Sequence, residues 1–368
     1  MLWWFATGCV GGSGSTEGNN GAPAPEAADT GTSDVGPARQ GSGEPAPADT
    51  GDDTAADSGA ETSPADTPTV QEVTAPCRED AVTALTLGGD GALWLGCGGD
   101  RGLFRSDDGA SSWEEPLVPD NAYGFRVAAL LPTRDGVWSC GFDPTVDPPV
   151  LLWRLTADGA LVALSRSDGA PDADELPLST CAAVATTGDQ ALVLAPEGLA
   201  LSVDGGVAWR VVDGAPPARI AAIGAELYTL SGDGSAPPVL AVLGGPRLPG
   251  GRAALPVALA SPDGGTTLYV LGNRPDGASL ARSTDAGVTW TTADLGAFTA
   301  RSLAFTGNEG WIIGGALPDA PSAGTLLHST DAGATWSSGS AELPPLTALA
   351  TDTSGAWLGG PGWLGRAE

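Results

Sequence analysis

Lysine is absent from this chain of 368 residues. All 16 basic side chains are arginine, and they face 45 aspartates and glutamates for a formal net charge of −29. An acid excess of that size argues against nucleic acid and anionic membrane surfaces as partners, since both recruit cations. Histidine occurs once and tyrosine three times. A lone imidazole, His328, cannot serve a serine–histidine–acid set away from its own turn, and no Walker-type phosphate loop or metal cluster accompanies it. The five cysteines include no CxxC pair, which removes the usual zinc spacing. Acidic pairs such as Asp52-Asp53 lack the loop spacing of a calcium site. No cofactor or metal is therefore expected. Helical periodicity of any length is missing too. Apolar residues come in short runs broken by 55 glycines and 31 prolines, the pattern of an all-β chain.

Within that pattern one phrase occurs four times. It is clearest in Ser283-Thr284-Asp285-Ala286-Gly287-Val288-Thr289-Trp290 and Ser329-Thr330-Asp331-Ala332-Gly333-Ala334-Thr335-Trp336. Looser copies are Ser202-Val203-Asp204-Gly205-Gly206-Val207-Ala208-Trp209 and Ser106-Asp107-Asp108-Gly109-Ala110-Ser111-Ser112-Trp113. Each reads as a tight hairpin: Asp turns its carboxylate onto N–H groups of its own turn, Gly supplies a positive φ, and Ser or Thr adds a local bond. The Trp begins the next strand and brings a large ring to bury.

The phrase resembles the Asp-box, or bacterial neuraminidase repeat, which caps the hairpin between the third and fourth strands of a β-propeller blade. The resemblance implies a fold and not a reaction, because one fold hosts many functions. The serines lie 96, 81 and 46 positions apart, so the last interval is one repeat and the others are two each. Two eroded repeats then fall between: Arg154-Leu155-Thr156-Ala157-Asp158-Gly159, and the glycine- and proline-rich stretch 243–251.

Short runs upstream of each turn supply the strands, as at 82–87, 92–97 and 102–105 in the first repeat, with 113–117 as its fourth. Repeats begin near Ala81, Arg126, Thr180, Arg219, Pro256, Arg301 and Pro345. The seventh has only three candidate strands, at 346–350, 356–359 and 362–366. Segment 69–74 is the natural donor of a fourth. The expectation is an all-β, seven-bladed propeller over residues 69–368, closed by an N-terminal strand that leaves no large exposed edge. Six or eight blades stay open, because two phrases are eroded.

Residues 10–68 are almost wholly Gly, Ala, Ser, Thr, Pro, Asp and Glu, with Arg39 as the one cation. Such a segment cannot bury enough apolar surface to offset ordering entropy, so a disordered acidic linker reaching several tens of ångströms is expected. At its head, Ala6-Thr7-Gly8-Cys9 resembles a bacterial lipobox, whose cysteine is acylated. Residues 1–9 then read as the remnant of a lipoprotein signal. The missing basic n-region fits a start assigned too far downstream. Val10 is not an aspartate, so by family analogy nothing retains the protein at the inner membrane. The alternative is an unstructured apolar tip with a chance cysteine.

Cys77, Cys97, Cys140 and Cys181 make an even set that suits an oxidising compartment. In the blade assignment Cys77 precedes the innermost strand of blade one and Cys97 ends its second. Cys140 ends the second strand of blade two and Cys181 starts blade three. The expected pairs are Cys77 with Cys97 and Cys140 with Cys181; free buried thiols are the alternative.

Three arginines stand where innermost strands begin: Arg126, Arg219 and Arg301, in blades two, four and six. They would direct guanidiniums toward one mouth of the channel, where a carboxylate or phosphate is the natural partner. The bland alternative is that each pairs with an acid of the neighbouring blade. Sialidases hold a substrate carboxylate with an arginine triad, and Phe125-Arg126-Val127-Ala128 loosely resembles their Tyr/Phe-Arg-Ile-Pro phrase. That family also needs a tyrosine nucleophile with a glutamate. Only Tyr123, Tyr228 and Tyr269 exist, and Glu226 beside Tyr228 sits in a second strand. Blade six, Leu303-Ala304-Phe305-Thr306-Gly307-Asn308-Glu309-Gly310-Trp311-Ile312-Ile313-Gly314-Gly315 with Leu326-Leu327-His328-Ser329, resembles the photosystem II stability and assembly factor family, non-enzymatic seven-bladed propellers that bind partner proteins. Trp94, Trp138, Trp311 and Trp357 take equivalent second-strand positions and read as core, not as sugar-stacking platforms.

Taken together, the expectation is a non-enzymatic, monomeric lipoprotein of the bacterial cell envelope, at the outer membrane or cell surface. It touches the membrane only through its lipid anchor and binds an envelope protein or glycan. The alternative is a sialidase-type glycoside hydrolase using Arg126, Arg219 and Arg301.

Overall fold

A computed structural model describes residues 67–368 apart from 100–101, 115–125, 134–135, 143–149, 157–160, 167–177, 179, 215–216, 233–237, 244–246, 250–254, 318–322 and 340–341. Cys9, the lipobox and the acidic linker up to residue 66 lie outside the described residues, as does Tyr123. The described chain forms seven antiparallel sheets and no helix.

Blade one holds β2 (Val82–Leu87), β3 (Leu93–Cys97) and β4 (Leu103–Ser106); blade two holds β5 (Arg126–Thr133), β6 (Gly136–Phe142), β7 (Val150–Thr156) and β8 (Leu161–Arg166). Blade three runs from β9 (Ala183–Thr187) through β10 (Gln190–Ala195) and β11 (Gly198–Ser202) to β12 (Arg210–Val212). Blade four runs from β13 (Arg219–Ile223) through β14 (Glu226–Ser231) and β15 (Val239–Val242) to β16 (Arg247–Pro249). Blade five comprises β17 (Leu255–Ala260), β18 (Leu268–Arg274), β19 (Gly277–Ser283) and β20 (Thr291–Gly296). Blade six comprises β21 (Thr299–Thr306), β22 (Glu309–Gly315), β23 (Gly324–Ser329) and the two-residue β24 (Ser337–Ser338). Blade seven joins β25 (Ala348–Asp352), β26 (Gly355–Gly360) and β27 (Trp363–Ala367) to β1 (Val70–Val73), which comes from the other end of the described chain.

The first strands contact one another in order, β2 through β25, and β25 returns to β2, so the sheets close a ring. The closing strand is in register with Val70 opposite Ala367 and Val73 opposite Leu364. Thr69 and Glu368 exchange both backbone hydrogen bonds, at 3.1 and 3.0 Å. Closure by the N-terminal segment is therefore what the three-strand remainder of the last repeat required.

The core is divided among the seams. Seven apolar clusters each draw on two successive blades, for example Trp138 and Leu152 with Val193 and Trp209 between blades two and three. At roughly 1.5–3 kcal/mol per fully buried large side chain, these seams hold the ring together. Side chains add clasps across them. Thr83 donates to the Val127 carbonyl at 2.6 Å, Thr347 donates to the Val82 carbonyl at 2.6 Å, and Asn273 bonds both the N–H and the carbonyl of Ala300. Disulfides join Cys77 to Cys97 and Cys140 to Cys181. The first ties the segment after β1 to blade one, and the second staples blade two to blade three.

Of the fourth strand expected at 113–117, the described part forms a bridge between Arg105 and Glu114, and residues 115–117 lie outside the described residues. A fifth turn of the repeated kind occurs where no copy was expected. Ser261-Pro262-Asp263-Gly264-Gly265 links β17 to β18, with the Ser261 hydroxyl accepting the Gly265 N–H at 2.9 Å and Asp263 accepting the Thr267 N–H at 2.8 Å. It keeps the serine, aspartate and glycine spacing but lacks the tryptophan, which is why the longer phrase passes it by.

Candidate functional site

One end of the ring carries the Ser-Asp turns. In every repeated copy the serine hydroxyl donates to the aspartate, at 2.7–2.9 Å, and accepts the N–H four residues on at 2.8 Å. The aspartate in turn accepts the N–H of Ser112, Ala208, Thr289 or Thr335 at 2.8–2.9 Å. These serines are 1–3% exposed, so the hydroxyl is a buried hub rather than a minor addition. The Ser112 hydroxyl holds the Asp108 pKa down at about 2, and the Thr289 hydroxyl does the same for Asp285. Backbone N–H groups, Ala208 first, lower Asp204; at Asp331 burial pulls upward and the bonds from Thr335 outweigh it.

Two consecutive residues after each aspartate have positive φ: Gly109 and Ala110, Gly205 and Gly206, Ala286 and Gly287, Ala332 and Gly333. The second is glycine where the turn touches the preceding blade. A Cβ there would lie 2.9 Å from Trp138 at Gly206 and 2.8 Å from Tyr269 at Gly333. Trp209, Trp290 and Trp336 donate their indole N–H to that same residue's carbonyl at 2.9–3.1 Å. The Trp113 indole N–H is buried without a partner.

Ser283→Ala removes the acceptor of the buried Gly287 N–H and is expected to cost about 1–3 kcal/mol, read as a lowered thermal midpoint. Asp285 predicts the pH dependence. Its folded pKa lies below the ordinary carboxylate value of about 4. Its contribution is therefore complete above that value and is lost as pH falls toward 2, so the gap in thermal midpoint between the parent and Asp285→Asn should be widest near neutral pH and narrow as the pH is lowered through that range.

A second recurrent feature is invisible to the repeat phrase. Opposite the second-strand aromatic stands a basic residue of the third strand: Trp94 with Arg105, Trp138 with Arg154, Tyr269 with Arg282, Trp311 with His328, Trp357 with Arg366. The guanidinium carbons of Arg105, Arg282 and Arg366 lie 5.5, 5.9 and 5.0 Å from the ring centroids, worth about 0.5–2 kcal/mol each. His328 stacks on Trp311 at 4.0 Å. An acid from the first hairpin completes three of these rungs: Asp90 on Arg105 at 3.0 Å, Asp352 on Arg366 at 2.6 Å, and Glu309 on His328. The signal was present in sequence as a cation directly before the serine, in Arg105-Ser106, Arg282-Ser283 and His328-Ser329. The four second-strand tryptophans are 1–7% exposed, so they are core.

The opposite end of the ring, where first strands begin, is the candidate binding mouth. Arg126 opens β5 and Arg219 opens β13, while Arg301 sits in β21 at a bulge between Ala300 and Ser302. All three residues are exposed. Bulges re-aim side chains near sites, and β2, β5 and β17 carry one as well. Arg219 turns back: its Nε donates to the Val257 carbonyl of blade five at 2.8 Å and its Nη1 to the Ala218 carbonyl at 2.6 Å. Loss of water around that folded-back head lowers its pKa below the usual value. Among the described residues the neighbouring-blade partner of Arg219 is therefore a main-chain carbonyl and not an acid.

The hydrolase constellation does not assemble at that end among the described residues. Tyr228 and Tyr269 are 7% and 0% exposed, in second strands, and the Tyr269 hydroxyl donates to the Ala332 carbonyl at 2.6 Å. Glu226 pairs with Ile223 at the far end of β13 from Arg219.

No family model matches the chain, and no curated protein matches it in sequence. Solved structures do match. A YCF48 structure with bound D1 peptide is 20% identical, covers 81% of this chain and 96% of its own, and superposes with a TM-score of 0.59. YCF48 from Cyanidioschyzon merolae is 16% identical over 81% of this chain and 98% of its own, at 0.56. The fold is a seven-bladed β-propeller. A streptogramin B lyase shares that propeller at 16% identity and 0.61, over 82% of this chain and 98% of its own. At such identities the likeness is one of architecture, shared by a peptide-bound protein and a lyase alike.

Proposed function

We propose that this propeller is a non-enzymatic binding scaffold of the cell envelope whose arginine mouth holds a carboxylate-bearing segment of a protein or glycan. The observation that carries this is the placement of Arg126, Arg219 and Arg301 where first strands begin, in a chain with acid nearly everywhere else. Arg301 is exposed on a bulge, has no hydrogen-bond or ion-pair partner among the described residues, and is the chief contact. Arg219 orients itself on the next blade and adds charge. Likeness to the peptide-bound YCF48 propeller supports a scaffold role. In this reading Cys9 carries a lipid, residues 10–68 hold the propeller away from the membrane, and the protein acts as a monomer.

The test uses a fluorescein-labelled peptide ending in a free α-carboxylate, its amidated twin, and a uronic-acid oligosaccharide. The combined Arg126→Ala and Arg301→Ala variant should weaken binding about tenfold or more, as expected for loss of charge-assisted hydrogen bonds. Its thermal midpoint should stay within about 2 °C of the parent's, since exposed substitutions are nearly neutral. Equal binding by variant and parent, or by the amidated peptide, removes the mouth from the mechanism.

A further inference from the structure

Six large apolar side chains are exposed among the described residues, and three of them, Val203, Val207 and Val288, stand in the Ser-Asp turns. Leu255 and Val239, 45% and 40% exposed, stand instead at the end of the ring that holds the arginines. Leu255 opens β17, a first strand, and Val239 opens β15, the third strand of blade four, which runs in the same direction. Their strand-mates Val257, Leu259, Leu240 and Val242 pack in the seams. The core therefore has no need of an apolar residue at either strand head. One exposed aliphatic residue alone carries no message; the neighbours of these two give them one.

Hydrogen bonds place Leu255 between two of the arginines. Two residues on, the Val257 carbonyl accepts the Nε of Arg219 from blade four at 2.8 Å. On the other side Leu255 is in register with Asn273, whose side chain holds both the N–H and the carbonyl of Ala300, the residue before Arg301. Blade five thus carries an apolar step between the arginines of blades four and six. Gly232, just after β14, extends it. A Cβ there would lie 3.0 Å from Pro238 and 3.4 Å from Pro256, so the residue before Val239 and the residue after Leu255 pack against the same stretch of backbone. Leu255 and Val239 therefore belong to one ledge, with Arg219 and Arg301 on either side of its inner end.

A ligand that covers the arginines and this ledge together must carry an anion and an apolar group within reach of one residue. A uronic acid fails, because its carboxylate is ringed by hydroxyls that would lose water against Leu255 without gaining partners. The last residue of a polypeptide carries its carboxylate and its side chain on the same carbon, so an extended C-terminus meets both requirements. Resting on the arginine mouth as the carboxylate site, we infer that the ligand is the C-terminus of a protein whose last residue is large and apolar. Arg301 takes the terminal carboxylate, and Leu255 and Val239 cover the last side chain. The ledge thereby selects protein over glycan and sets which chain ends are accepted.

Fluorescence anisotropy of the full chain tests this with fluorescein-labelled peptides alike except for a last residue of leucine, phenylalanine, glycine or aspartate. The leucine and phenylalanine peptides should bind about three- to tenfold tighter than the glycine peptide, the effect of covering part of an apolar side chain. Leu255→Ser should shrink that ratio below about twofold, and Val239→Ser should shrink it in part. Both variants change exposed residues, so their thermal midpoints should stay within about 2 °C of the parent's. Arg301→Ala should weaken binding of every peptide. A ratio near one in the parent, or one that survives Leu255→Ser, overturns the ledge and leaves the arginine mouth in place. An oligogalacturonate that binds tighter than any of the peptides does the same. If no peptide binds by about 1 mM, a concentration that reveals even weak association, the arginine mouth itself is wrong and the ledge falls with it.

Discussion

Replacing Cys140 and Cys181 together by serine is expected to lower the unfolding free energy by roughly 4 kcal/mol, the loop-entropy value for a closure of 41 residues. The staple crosses from the second strand of blade two to the approach of blade three, with both sulfurs in the seam cluster of Trp138, Val193 and Trp209. Its loss frees a long stretch of the unfolded chain and puts two hydroxyls into an apolar seam. Thermal unfolding should place the oxidised parent highest, the variant, which keeps Cys77–Cys97, below it, and the reduced parent, which lacks both bonds, lowest. A reduced parent as stable as the oxidised one would defeat the idea. The Cys77–Cys97 bond closes only 20 residues, for roughly 3 kcal/mol, and guards a different point. It anchors the chain just after a closing strand of four residues, so its loss should first raise hydrogen exchange at residues 70–73 and 364–367.

Trp311→Ala should cost about 3–5 kcal/mol, the range for deleting a large buried ring. The indole is 1% exposed, packs in the seam between blades six and seven, and stacks on His328. Trp311→Phe should cost much less, because the indole N–H it removes has no partner. His328→Arg restores the residue type that four other blades place opposite their aromatic. It should stay within about 1 kcal/mol of the parent. Equal destabilisation by His328→Arg and Trp311→Ala, measured by denaturant midpoint, would show that the rungs are not interchangeable.

Much of this architecture was legible because the repeat phrase is local chemistry. Serine, aspartate and a left-handed pair bond within five residues, so the same letters give the same turn wherever they stand. Strand edges fell within two or three residues in blades one and seven for the same reason: alternation and glycine punctuation act locally. The disulfide pairs followed once the blades were numbered, since antiparallel neighbours bring fixed ends together. Other features lacked such a code. The aromatic–cation rungs depend on cross-strand register, which places Trp94 opposite Arg105 and Trp311 opposite His328 across hairpins of differing length. The Ser261 turn sits on a different hairpin from the rest, and without its tryptophan the shorter motif is too common in glycine-rich loops to single out.

The arginines mark the boundary most clearly. Their position at the head of alternate first strands was readable from spacing alone, but whether each faces solvent or folds back was not. Arg219 turns onto the Val257 carbonyl because blade five carries a bulge there, and Arg301 stays exposed on a bulge of its own. Sequence by itself pointed to an all-β ring of repeats, its closing strand and its cross-links, because those rest on backbone geometry and nearest-neighbour pairing; that the blades number seven, and that the cysteines are paired, the structure decided. Only tertiary structure decided the packing of one blade's turn against the preceding blade's ring, as Gly206 lies against Trp138 and Gly333 against Tyr269. Those contacts join residues in different repeats, where an added methyl group would clash with the ring and no local rule reports it.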